Sequence, residues 1–77
     1  MEKLQSTSTD GNYISRMHVE LQELKVRRQK LQNFIVSERF NDLDNVDQYL
    51  MLHQYTAMGD YLSVLKMRIK RAEDKHQ

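Results

Sequence analysis

A chain of 77 residues has room for one domain, and a lone domain of that size buries only about 60% of the surface its unfolded chain exposes. With no cysteine, neither a disulfide framework nor a thiolate metal site can staple the fold, and a formal net charge of +1 leaves no global field to draw nucleic acid or an anionic membrane. Proline is absent, glycine occurs only at Gly11 and Gly59, and charged residues make up 30% of the chain, a composition that favours long helices and leaves self-association as the way to stabilise so small a core.

In chain order, residues 1–9 (MEKLQSTST) lack a periodic apolar face and read as a flexible arm with Leu4 as its one docking point. From Asp10, Ile14, Met17, Leu21, Leu24, Leu31 and Ile35 recur at steps of three and four, and Arg28 occupies the one seam position that breaks the run. That is a first helix, and over 12–37 it would form a rod on the order of 40 Å long, too long for a small core unless it pairs lengthwise.

The connection NDLDNVD follows, where Asp44 suits a helix N-cap and Asp47 places a second carboxylate in the first turn. Met51, Tyr55, Met58, Leu62, Leu65 and Ile69 then repeat the same steps, giving a second helix of similar length. A short connection makes the two antiparallel, which sets Tyr13 and Arg16 near Met67 to Arg71, and Ser37 and Glu38 near Val46. Charge polarises along that hairpin. Glu38, Asp42, Asp44 and Asp47 gather at the turn, whereas Lys25, Arg27, Arg28 and Lys30 on the first helix and Lys66, Arg68, Lys70 and Arg71 on the second make a basic remainder.

Each helix carries a second apolar strip: Val19, Val26 and Phe34 on the first, Leu50, Leu52, Ala57, Tyr61 and Val64 on the second. Two helices cover one stripe each, so the surplus calls for burial against other copies. The expected fold class is all-α, an antiparallel two-helix hairpin over 10–72 assembling into a helical homo-oligomer, with the arm 1–9 before it and a frayed tail 73–77 after it. No apolar run nears the roughly 20 residues that cross a bilayer and no signal-peptide core opens the chain, so an intracellular protein with no membrane partner is expected.

Catalytic and metal constellations are not found. His18, His53 and His76 have no close ligand pairing, the acids are scattered along helix faces or placed at helix starts, and no nucleophile has an adjacent base, so neither enzyme chemistry, metal nor cofactor is expected. The cluster KVRRQK reads as a solvated face except at Arg28. A guanidinium in an apolar seam must snorkel, pair with an acid or meet an anion, and Arg suits bidentate phosphate recognition. Arg68 flanks the seam beside Leu65 and Ile69 in the same way. Tyr13, in the first turn of the helix, can serve as an oligomer contact or stack on a base.

From Tyr13 to Ile69 the pattern Y-x2-R-M-x2-E, KLQNFI, F-x2-L-D and YLML-x-Q-x3-M-x2-YLSVL-x2-RI resembles the phage-encoded hairpin family of anti-CBASS and anti-Thoeris nucleotide sponges. The resemblance implies an oligomer, a hexamer in the best-known branch, that sequesters cyclic di- or trinucleotide immune signals in the host bacterial cytoplasm without cleaving them. It implies a base-stacking aromatic matched by Tyr13, with Arg16 in the same motif. A ligand-contacting basic residue is matched by Arg28, with Arg27 and Lys30 as substitutes, and a separate trinucleotide site by Arg68. Two competing readings remain: a helical protein–protein interaction module such as a phage adaptor or antirepressor, and a hairpin binding long nucleic acid through Lys25 to Lys30. Near-neutral charge and the lack of a turn-plus-recognition-helix pattern argue against the last.

Overall fold

A computed structural model describes residues 6–75 of the chain, with side chains described from Tyr13 onward. Helix α1 spans Ser6–Ile35, a 3₁₀ turn covers Glu38–Asp42, and helix α2 spans Asn45–Lys75. The all-helical hairpin of the sequence reading is therefore present. Of the expected arm, 1–5 lie outside the described residues and 6–9 belong to α1; of the expected tail, 73–75 belong to α2 and 76–77 lie outside. Neither described helix is long and apolar enough to cross a membrane.

The turn begins where the hydrogen bonds tighten from the i→i−4 pattern of α1 to an i→i−3 pattern. The Val36 N–H donates to the Gln32 carbonyl at 3.1 Å, and the Phe34 carbonyl accepts both the Ser37 N–H at 3.0 Å and the Ser37 hydroxyl at 2.6 Å. The Phe40 carbonyl is shared by the Leu43 N–H at 3.1 Å and the Gln48 side-chain amide at 3.0 Å, so α2 reaches back to hold the turn. Asp44 caps α2 as expected, its carboxylate accepting the Asp47 N–H at 2.8 Å. Phe34 packs edge-on against Phe40, with ring centroids 6.5 Å apart. That contact half-buries Phe34, which thereby leaves the surplus strip to which periodicity assigned it.

The long axis measures 51 Å against 25 and 17 Å, a rod two helices wide. Its core lies toward the open end, where Met17, Leu21, Leu65, Ile69 and Ala72 are buried together, Leu24 is buried as well, and Ile14 and Leu62 pack alongside. Toward the turn the same seam only half-buries Leu31, Ile35, Met51, Tyr55 and Met58. The reason is the seam's own composition: Arg28 and Tyr55 occupy the middle of it and bring polar atoms where the open end has methyl groups.

A pair of helices has no third element to cover its outer faces, and a set of large apolar side chains stays in solvent. Val19, Val26, Leu50, Leu52, Tyr61, Val64 and Met67 are all exposed. Turning about 100° per residue puts Leu50, Ala57, Tyr61, Val64 and Arg68 along one flank of α2 and Tyr55, Gly59 and Lys66 along the other. The hairpin therefore has one edge with an apolar strip and an opposite edge without it.

Candidate functional site

The second edge holds a groove of about 300 Å³ lined by Lys25, Arg28, Gln29 and Gln32 from α1 and by Leu62 and Lys66 from α2. Its lining includes cations and amide groups but no carboxylate, an arrangement suited to an anion with hydrogen-bonding edges. It forms because Lys25, Arg28, Gln29 and Gln32 fall within one angular sector of α1, and antiparallel pairing brings Lys66 alongside them.

Arg28 is the innermost of these groups, and among the described residues no acid pairs with it. Its Nε donates to the Tyr55 main-chain carbonyl at 3.0 Å, while its Cζ stands 3.8 Å from the centre of the Tyr55 ring. The Tyr55 hydroxyl in turn donates to the Gln32 side-chain oxygen at 3.2 Å, so one tyrosine is engaged by two residues a turn apart on α1. A further condition is met by Gly59. A β-carbon at that position would lie 2.6 Å from Nη2 of Arg28, closer than any ordinary contact, so the guanidinium occupies the volume a side chain there would take. Carbonyl, ring and notch together answer the problem of a charge in the seam, through a route the sequence reading did not consider. Nε is the nitrogen committed to the tyrosine, and the guanidinium also lines the groove.

The second constellation sits at the open end. Nη2 of Arg68 donates to the Tyr13 hydroxyl at 3.2 Å, with its Cζ 5.9 Å from the ring centre, and both residues remain exposed. Beside them His18 Nε2 lies 2.9 Å from a Glu73 carboxylate oxygen, each side chain about half exposed. The structure thus joins Tyr13 to Arg68, residues that the resemblance assigns to separate sites, and parts Tyr13 from Arg28, which the helical rise sets about 22 Å away along α1. A ligand touching both Tyr13 and Arg28 of one hairpin would have to span that separation. Arg16, Arg27 and Lys30 are exposed and do not line the groove.

Gln29, Gln32 and Lys66 were not singled out as ligand contacts by their sequence, and Lys25 only in the long-nucleic-acid reading, since on a basic helix such residues read as a solvated face. Helical projection of both helices in the antiparallel register would have grouped them. Gly59 left a clearer signal: an isolated glycine inside a strongly periodic helix weakens it and calls for a packing reason. Among the described residues, no group of three or more His, Asp or Glu side chains is placed to hold a metal ion.

No curated protein and no solved structure matches the chain. A family model described as Sequestin matches residues 11–71, which take in the turn and most of both helices, and that name suggests sequestration, in keeping with the sponge family that the residues from Tyr13 to Ile69 resemble. Since the match covers well over half of its length, the chain belongs to the Sequestin family.

Proposed function

We propose that this protein sequesters cyclic oligonucleotide immune signals, di- or trinucleotides, in the cytoplasm of a phage-infected bacterium, holding them intact and away from the effectors of CBASS-type immunity. The observation that carries the reading is the groove in which Lys25, Arg28 and Lys66 converge with no carboxylate in the lining. A cyclic oligonucleotide presents phosphates to such cations and base edges to the amides of Gln29 and Gln32, and its purine faces can stack on an exposed aromatic such as Tyr13. Sequestration without turnover fits a site made of cations, amides and aromatics, since cleavage of a phosphodiester needs an activated nucleophile and a group to accept its proton.

Assembly belongs to the same proposal. Val19, Val26, Leu50, Tyr61 and Val64 form strips along both helices that a single hairpin leaves in water, and a homo-oligomer, a hexamer by resemblance, buries them. It also supplies the geometry by which Tyr13 of one copy reaches the Arg28 groove of another. The exposed strip on α2 supports a second reading, a module that docks a partner protein's helix there.

Titration calorimetry with a panel of cyclic di- and trinucleotides, run beside light scattering and chromatography of the recovered ligand, tests the proposal. One nucleotide bound stoichiometrically by an oligomer and recovered unchanged is the expected outcome. Binding of none selects the partner-protein reading, and recovery of linear product overturns the non-catalytic one.

A further inference from the structure

The notch at Gly59 admits Arg28. Glycine weakens a helix interior, and Gly59 lies well inside α2, away from any helix end or turn that would require it. What the missing side chain provides is the space in which Nη2 lies, 2.6 Å from where a β-carbon would stand. The Tyr55 carbonyl and ring then fix the guanidinium plane, and the groove lined by Lys25 and Lys66 opens on it.

We propose that Gly59 and Tyr55 are positioning residues for an anion subsite: they hold the Arg28 guanidinium in one orientation so that it and the two lysines bind a phosphate group of the ligand. The proposal rests on the reading of the groove as a ligand site. An arginine held in this way meets an anion without first losing the rotamer freedom of a long side chain, which a free surface arginine must give up on binding. Gly59 thus acts through Arg28 and touches no ligand.

Gly59→Ala separates positioning from structural support because a structural role is read in the melting temperature and a positioning role in the affinity. The atom in the way is the far end of a flexible side chain, so Arg28 can swing out, and the gain in helix propensity from alanine offsets the loss of the Arg28–Tyr55 contacts. The variant should melt close to the parent temperature with the same oligomeric state. Its affinity for inorganic triphosphate, a probe with phosphates and no base, should nonetheless fall about tenfold. The Arg28 Nε–H resonance, shifted and protected by the Tyr55 carbonyl in the parent, should move toward that of a free arginine. In an Arg28→Gln background Gly59→Ala should change triphosphate binding no further, the coupling expected of a residue that works through another.

Triphosphate binding by Gly59→Ala equal to the parent's overturns the proposal. So does an undiminished loss in the Arg28→Gln background, or a parent whose Arg28 resonance ignores millimolar triphosphate. Triphosphate bound with the predicted coupling while every cyclic nucleotide is refused leaves the subsite standing and removes the proposed ligand class. Cyclic nucleotides bound equally by parent and Gly59→Ala do the reverse.

Discussion

Leu65 and Val64 are neighbours on α2 with opposite fates, and replacing each by alanine separates what holds the hairpin from what holds an assembly. Leu65 has no accessible surface and lies among Met17, Leu21, Ile69 and Ala72, whereas Val64 is 48% exposed. Leu65→Ala removes buried methyl groups and leaves a cavity in a rod with little else buried, a change that costs about 2–5 kcal/mol. A chain of this length has a total stability of about 4–12 kcal/mol, so the loss is a large fraction of it. At about 4–8 °C per kcal/mol, a mid-range cost of about 3 kcal/mol lowers the melting temperature by roughly 12–24 °C.

Val64→Ala trades a β-branched residue for the best helix former at a half-exposed site, so in an isolated hairpin it is neutral or slightly stabilising. Circular dichroism melts of the three proteins at two concentrations, at least tenfold apart, read both effects. If Val64 packs against another copy, Val64→Ala destabilises and its deficit grows on dilution, because mass action ties the melting of an oligomer to protein concentration. Equal small shifts for the two variants, under about 4 °C, would refute the assignment of the core to the open end, since a mutation that costs less than about 1 kcal/mol cannot have removed a fully buried leucine.

Other outcomes follow from named contacts. Asp44→Ala removes the cap on α2 and should lower stability by about 1 kcal/mol, read as a lower urea midpoint at unchanged m-value. Tyr13→Phe keeps the ring and loses only the hydroxyl that accepts from Arg68, so nucleotide affinity should change little, whereas Tyr13→Ala loses stacking worth about 1–3 kcal/mol and should weaken binding by about tenfold or more in calorimetry. Arg28→Lys retains the charge but not the planar group that lies over Tyr55 and donates through Nε, and should lower both the melting temperature and triphosphate affinity.

Helix period, the short connection and Asp44 are local properties, and they were enough to determine two antiparallel helices, their seam residues and the cap between them. The same periodicity assigned Val19, Val26, Leu50, Tyr61 and Val64 to a surplus that two helices cannot cover, and these side chains do stand in solvent. It also marked Arg28 as a charge needing an answer. The answer itself was not legible, because a main-chain carbonyl carries no residue identity and any helix offers one at every position. Only the register that sets Arg28 across from Tyr55 and Gly59 decided which carbonyl, which ring and which missing side chain would receive it. The same register joined Tyr13 to Arg68 and gathered Lys25, Gln29, Gln32 and Lys66 around one groove. A pattern along one helix tells which residues share a face; which faces meet, and at what offset, depends on the packing of both helices together.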